Sequence, residues 1–568
     1  MKKKHLVFII FLIINLIPHV YVALSPSGNL LNWYLTDDAF YYFKVAQNIS
    51  EGRGITFDGL GATNGFHPIW MLVCIPVFAL ARIDLYLPLR VLIVVLGVLN
   101  AGAGYFLYRL FADHLSEKTG WIVAVLWMFL PSIHGITTKL GVESGLNAFA
   151  LIFFFFCVSR LPQYQDGKKV KSTALLGVSL AAMLVLFSRL DNIFILVMVG
   201  LWLVFRNSNM RWITQVDFLL ILLSSLLSYF LRIQSTDNIF NLLPFAYMLI
   251  GFSLVIKPVC LFFFGLYEFN GRITFKRFIL KTAAAMTLAS ILIAGIFYVL
   301  HDVLHLISGL SRSVLILDWL MAAGLLIIFR IILFKRSHNE HGKSLNSLKE
   351  NWKVWLGNAA AYFIPLFGML VVYMLVNKYY AGVPMPVSGQ IKRWWGGLPN
   401  TVYGRPIKNL SGIVSGIFDT SIESGPFWML TQPLYRVSKW LDGILGISLG
   451  SQASAFLLVI IWSIFVAIVL VVSSRRWFAF RQIAEKYALL PFFSGCFFHV
   501  ISYKATGYLH AKYWYWLGEM LLVTMFVGLV LAILIWELEK QTGKAGIAKG
   551  VVALASLALM VNFGYTIM

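Results

Sequence analysis

Apolar runs long enough to cross a bilayer recur along almost the whole chain, and no other feature constrains its fold as tightly. In hydrocarbon every backbone N–H and C=O must find a partner inside the protein, so a spanning segment is a helix or part of a closed barrel. About 20 apolar residues cover the hydrocarbon core as a helix, and 5–24, 87–110, 214–231, 240–266 and 356–376 approach or exceed that length. The chain is 60% hydrophobic and only 12% charged, whereas a soluble domain is roughly a quarter charged. The expected fold is an all-α polytopic membrane protein with about 13 to 15 transmembrane helices, among them 119–134 and the apolar runs that follow Glu143, the basic connector 159–172 and "SRLDN".

The net charge of +22 would suggest a nucleic-acid partner if it were gathered in one patch. Lys and Arg instead fall in short connectors between apolar runs, where they act as orientation signals and contacts for anionic lipid, so no nucleic acid is expected. Cys74, Cys157, Cys260 and Cys496 are scattered without a CxxC pair and read as small core hydrophobes. The opening "MKKKHLVFIIFLIINLIPHVYVAL" has the basic start of a signal peptide but lacks a small-x-small cleavage site. It reads as a retained first helix with Lys2, Lys3 and Lys4 in the cytoplasm.

Placing the richest basic connectors on the cytoplasmic side puts 27–67, 134–143, 188–192, 377–446 and 501–512 on the opposite face. The apolar stretch 68–80 is too short to cross and reads as re-entrant or interfacial. The chain then divides into a transmembrane core, 1–376, that includes the external loop 27–67; a second large external loop, 377–446; and C-terminal transmembrane helices, 447–568. No internal repeat is strong enough to suggest an inverted-repeat transporter.

The external segments carry the chemistry. In "LTDDAFYYFKVAQNIS", Asp37 and Asp38 stand at the start of a helical pattern in which Tyr41, Tyr42, Val45, Ala46 and Ile49 share a face. Both suit a helix N-cap. One carboxylate suffices for capping, which leaves the other placed to take a proton from an acceptor hydroxyl. "GRGITFDGLGATNGFHP" follows, with five glycines that permit tight turns, His67 as a candidate binding residue, and Pro68 as a good first helical residue. Glu143 in "GVESG" and Arg189 with Asp191 in "SRLDN" lie at further external helix ends. "NKYYAGVPMPVSGQIKRWW" offers Lys378, Tyr379, Lys392 and Arg393, and "GYLHAKYWYW" offers His510 and Lys512. These mixtures fit an interfacial aromatic belt and equally a pocket for phosphate and sugar, with lysine as a point charge and arginine as a bidentate clamp.

"LTDDAFYYFKVAQNISEGRG", "TNGFHPIW", "GVESG", "SRLDN" and "NKYYAGVPMPVSGQIK" resemble, in order, the bacterial members of the GT-C glycosyltransferase superfamily, within its arabinofuranosyl- and mannosyltransferase-like branch. The likeness runs through residue 395. It implies a GT-C type fold with external juxtamembrane helices in the bacterial cytoplasmic (inner) membrane, its site facing the periplasm or exterior. It implies a polyprenyl-phosphate-linked sugar donor and a glycan, lipid or protein acceptor. The superfamily's essential acid corresponds to Asp37 or Asp38, its "GxE" acid to Glu143, its "RxD" acid to Asp191, and the lysine closing "PxSGxxK" to Lys392. A divalent metal is an optional participant and no cofactor is required. The competing expectation is a transporter or flippase of lipid-linked sugars, which needs ionisable residues inside the spans; on the sequence most acids sit at external ends.

Overall fold

A computed structural model describes residues 2–162, 172–206, 208, 210–233, 242–267, 274–307, 309–339, 348–398, 410–445, 477–508, 511–542 and 545–567. The helices are α1 (Lys2–Leu24), α2 (Ser27–Trp33), α3 (Asp38–Ser50), α4 (Pro68–Phe78), α5 (Leu87–Ala112), α6 (Glu117–Phe129), α7 (Pro131–Thr138), α8 (Ser144–Ser159), α9 (Ser172–Ser188), α10 (Ile193–Val204) and α11 (Met210–Arg232). They continue as α12 (Leu243–Phe263), α13 (Phe275–Tyr298), α14 (Arg312–Asn339), α15 (Leu348–Ala381), α16 (Val387–Gly396), α17 (Leu410–Ile417), α18 (Trp428–Leu445), α19 (Trp477–Lys486), α20 (Leu489–Ala505), α21 (Leu517–Thr542) and α22 (Ala545–Ile567). Among the described residues there is no β-sheet; one isolated bridge, Thr56 to Ala62, closes the turn in the first external loop. In that loop Gly52, Gly54 and Gly59 take positive φ, three of the five glycines expected to permit it.

The chain is an all-α, multi-pass membrane protein. Eight described helices are long and apolar enough to cross a bilayer, lying in α1, α5, α11, α12, α13, α14, α15 and the α21 region, and a bent α6–α7 pair makes a ninth. The segment 119–134, expected as one span, is bent by 62° where α6 gives way to α7 at Pro131. Proline has no N–H to give the preceding turn and its ring crowds the carbonyl four residues back. Helices α8, α9 and α10 were counted as spans on the sequence and are shorter apolar helices here. The run 446–476 lies outside the described residues.

Helix α5 is packed against α1, α6 and α8, with α9 joining α8 to α15 and α10 lying along α20. Polar pairs hold the register where apolar surface alone would not: Asn100 donates to Asn15 (2.8 Å) between α5 and α1. Helices α11 to α14 pack on one another with their own buried core. This group contains two buried ion pairs that the sequence reading did not single out. Lys257 Nζ lies 2.6 Å from Asp318, which also accepts from Ser224 and Ser225. Arg330 grips Asp217 through two hydrogen bonds of 2.9 and 2.7 Å. Acids are therefore not confined to the external ends.

The segments expected on the outer face are tied to the bundle by buried hydrogen bonds. Tyr34 Oη donates to the Leu89 carbonyl (2.6 Å), Trp33 Nε1 to that of Thr138 (3.1 Å) and Trp70 Nε1 to that of Gly141 (3.1 Å). Gly141 has φ +70°, and a Cβ there would come within 2.8 Å of the Tyr34 ring and 3.0 Å of Ala39. Only glycine lets "GVESG" approach the start of α3 this closely. The two large loops meet as well. Asn64 donates to the Met385 carbonyl (3.3 Å) and accepts from the Val387 N–H (3.2 Å), joining "TNGFHP" to "GVPMPVSGQ". The close of α16 in turn lies against the chain after α20, where a Cβ on Gly396 would sit 2.2 Å from the Thr506 carbonyl oxygen.

Candidate functional site

Helix α3 starts where its pattern predicts, and Tyr42, Val45 and Ala46 are buried while Tyr41 is exposed. The capping expectation needs correction. Asp37 occupies the N-cap position but its side chain makes no capping bond; Thr36 Oγ1 accepts from the Asp38 N–H instead, at 3.3 Å. Glu143, at the N-cap of α8, makes no capping bond either. Both acids gain only the general attraction of a carboxylate to a helix N-terminus, so other partners account for their placement.

The adjacent carboxylates face different surroundings. Asp37 is exposed and lines an open groove of about 480 Å³ with Phe40, Tyr41, Lys44, Phe57 and Leu85. Asp38 is partly buried and lies in the field of Lys392, Lys512, Asp37 and Glu143. Burial pushes its carboxyl above the usual carboxylate range, Lys392 and Lys512 draw it back, and Asp37 and Glu143 add to the rise. The split follows from helix geometry, because consecutive residues point about 100° apart.

Behind Asp38 is a buried lattice of alternating charge. Arg189 bonds Glu143 Oε1 through Nη1 (2.6 Å) and grips Asp191 through Nε (3.1 Å) and Nη2 (2.5 Å). Tyr42 Oη donates to the other Glu143 oxygen (2.9 Å) and accepts from the His67 backbone N–H (3.1 Å). Burial, with Glu143 alongside, pushes the Tyr42 phenol well up, so it remains a donor at neutral pH. His67 Nε2 is 3.7 Å from Glu143, an ion-pair distance and not a hydrogen bond. Burial lowers the His67 pKa and leaves its ring neutral, Glu143 opposing and Arg189 assisting. On the far side Tyr503 Oη donates to Asp191 (2.6 Å).

Tyr515 closes the lattice. The Arg189 guanidinium stacks on its ring at 4.6 Å, and its hydroxyl is 2.5 Å from Lys392 Nζ, which also sits 5.2 Å from the ring centroid. Lysine, arginine and an aromatic ring are thus brought together from three separate parts of the chain. Residues expected on the sequence divide accordingly. Asp38, His67, Glu143, Arg189, Asp191 and Lys392 come together, with Lys512 exposed beside Asp38. Lys378 bonds the Gly382 carbonyl (2.8 Å), Tyr379 is 83% exposed, and Arg393 stacks on Tyr247 at 4.6 Å, so these three have other partners. His510 lies outside the described residues.

Tyr42, His499, Tyr503, Tyr515 and Glu519 were not recognised from sequence as site residues. Glu519 offered a signal: it is a lone acid in the long apolar run after Trp516, and an ionisable residue inside a span is a functional candidate by default. The tyrosines offered none, because their partners lie far away in the chain. Among the described residues no group of three or more His, Cys, Asp or Glu side chains is arranged to hold a metal ion. Glu143 and Asp191 are both engaged by Arg189.

Chemically, the arrangement offers a partly buried carboxylate beside two ammonium groups, on a floor whose charges are locked by one another. Lys392 and Lys512 can each offset negative charge, and the Asp38 carboxylate in their field can accept a proton. Comparison with known proteins returns no matching family model and no matching curated protein.

Proposed function

We propose that this protein is a GT-C type glycosyltransferase that moves a sugar from a polyprenyl-phosphate donor to an acceptor hydroxyl at the extracytoplasmic face of a bacterial inner membrane. The observation that carries the reading is the placement of Asp38 within the field of Lys392 and Lys512, over the Glu143–Arg189–Asp191 lattice. Asp38 is the general base on the acceptor hydroxyl. Its raised pKa makes it a stronger base than a free carboxylate, and a positioned base contributes about 10²–10⁴-fold. Direct attack at the anomeric carbon breaks its bond to the phosphate oxygen and inverts the centre. Lys392 and Lys512 offset the charge that builds on the departing polyprenyl phosphate. Tyr515, buried between Arg189 and Lys392, ties Lys392 to the lattice that forms the floor. Arg189, Glu143 and Asp191 keep that floor rigid.

A donor tethered to a lipid reaches the site sideways from the bilayer, so no nucleotide sugar is required outside the cell. A second reading, a transporter or flippase for lipid-linked sugars, has its own support: the Lys257–Asp318 and Asp217–Arg330 pairs lie inside helices of membrane-crossing length. Purified protein in detergent separates the two. A transferase discharges a radiolabelled polyprenyl-phosphate sugar onto an acceptor in solution. A transporter has no second compartment there and leaves the donor intact.

A further inference from the structure

Beneath Asp191 the lattice continues inward through two residues that no part of the proposed chemistry uses. His499 and Glu519 are both buried, at 2% and 0% exposure. His499 Nδ1 lies 2.8 Å from Glu519 Oε1, and its Nε2 lies 3.6 Å from Asp191 Oδ2. Both ring nitrogens therefore face carboxylates, which accept and do not donate. A doubly protonated imidazolium hydrogen-bonds Glu519 through Nδ1 and presents its Nε2–H to Asp191 at ion-pair distance.

The backbone is built for this approach. A Cβ on Gly495, one turn before His499, would fall 2.5 Å from the Ile195 Cα, and one on Gly518, beside Glu519, 2.7 Å from Ile195 Cδ1. Glycine at these two places lets α10, α20 and α21 close on one another. The Asp191, His499 and Glu519 side chains are thereby drawn together. His499 is also packed edge-on between Tyr503 (5.0 Å) and Trp516 (5.6 Å), which fixes its ring plane.

The chain of contacts runs Glu519, His499, Asp191, Arg189, Tyr515, Lys392, alternating in charge as far as Arg189. Without a cation behind it, Asp191 has only Arg189 and Tyr503 to orient it, and Arg189 keeps only Glu143 as a fixed anchor over Tyr515. We propose that His499 and Glu519 are positioning residues: as a buried imidazolium–carboxylate pair they set Asp191 and Arg189, and through Tyr515 they hold the Lys392 ammonium at the mouth of the site. The importance of Lys392 for a phosphate group rests on the transferase reading; the positioning itself does not.

The test uses the full-length protein in nanodiscs and two readouts that need no sugar transfer. In ¹⁵N-histidine spectra, with His499→Asn identifying the signal, His499 carries protons on both ring nitrogens at pH 7, and Glu519→Gln removes one of them while Glu519→Asp keeps both. In pulsed reductive methylation read by mass spectrometry, Lys392 reacts more slowly than the exposed Lys512. Glu519→Gln raises the Lys392 rate about tenfold, the scale of one charge-assisted hydrogen bond, and leaves Lys512 unchanged. His499→Asn serves for the lysine measurement if Glu519→Gln does not fold. A neutral His499 in the unmodified protein, or an unchanged Lys392 rate in both variants, overturns the proposal. Farnesyl phosphate as a binding probe then separates the two claims. Loss of protection at Lys392 together with about tenfold weaker farnesyl phosphate binding supports both; loss of protection with no binding even by the unmodified protein supports the positioning and removes the transferase reading.

Discussion

Replacing Arg189 by Met removes the one cation shared by the Glu143 and Asp191 carboxylates and tests whether the lattice holds this end of the bundle together. Arg189 and Glu143 are 3% and 4% exposed as side chains, and Asp191 15%. Deleting one partner of a buried ion pair costs about 3–5 kcal/mol, because the remaining charge stays desolvated. Two carboxylates lose their partner here, yet each keeps a tyrosine hydroxyl, Tyr42 on Glu143 and Tyr503 on Asp191, at 2.9 and 2.6 Å. Those donors hold the expected cost near the single-pair figure of about 3–5 kcal/mol. Reversible unfolding in mixed micelles measures it. The triple variant Arg189→Met with Glu143→Gln and Asp191→Asn removes the stranded charge and recovers most of that loss, since neutral replacement of a whole buried network is often close to neutral in stability. A loss below about 1 kcal/mol for Arg189→Met, the size of a surface ion pair, refutes the buried lattice.

Other consequences are separately measurable. Asn64→Ala leaves the Val387 N–H without its partner and the Met385 carbonyl with only Gln390, costs about 1–3 kcal/mol locally, and speeds proteolytic nicking in the two loops that Asn64 joins. Lys257→Met strands Asp318 and destabilises by about 3–5 kcal/mol, while Lys257→Met with Asp318→Leu restores stability and leaves sugar transfer intact; loss of activity in the restored double variant would move this pair into the function. The pH dependence has a fixed sign. Burial raises the Asp38 pKa, so the folded protein binds the proton more tightly than the unfolded chain, and stability falls as pH rises through the window above the ordinary aspartate value. Turnover moves the opposite way, rising with pH through the same window as the base ionises, and Asp38→Asn leaves thermal stability at pH 7 unchanged or higher.

What the sequence discloses follows from how local each signal is. The all-helical membrane class is written in apolar runs, and the start of α3 and the Pro68 start of α4 are written in a few neighbouring residues. Pro131 stood in plain view, yet hydropathy alone made 119–134 look continuous. Glu143, Arg189, Asp191 and Lys392 were visible as polar residues at external ends, because charge in a greasy chain is conspicuous. Their grouping was not, since the Lys392–Tyr515 contact spans 123 residues and Tyr503–Asp191 spans 312. The division between Asp37 and Asp38 depends on what packs against each side of one helix end, which adjacent identical residues cannot reveal. Asp217, Lys257, Asp318 and Arg330 were passed over because each is diluted within a long apolar run, although each is buried and paired.

The central claim is that Asp38, and not Asp37, is the base of a sugar-transfer site. Single variants Asp37→Asn and Asp38→Asn, purified in detergent and supplied with radiolabelled polyprenyl-phosphate sugars and candidate acceptor glycans, test it most directly. The account predicts turnover by the unmodified protein, a fall of about 10²–10⁴-fold in Asp38→Asn, and a change of no more than about twofold, or roughly 0.5 kcal/mol, in Asp37→Asn. Full turnover by a folded Asp38→Asn protein contradicts it.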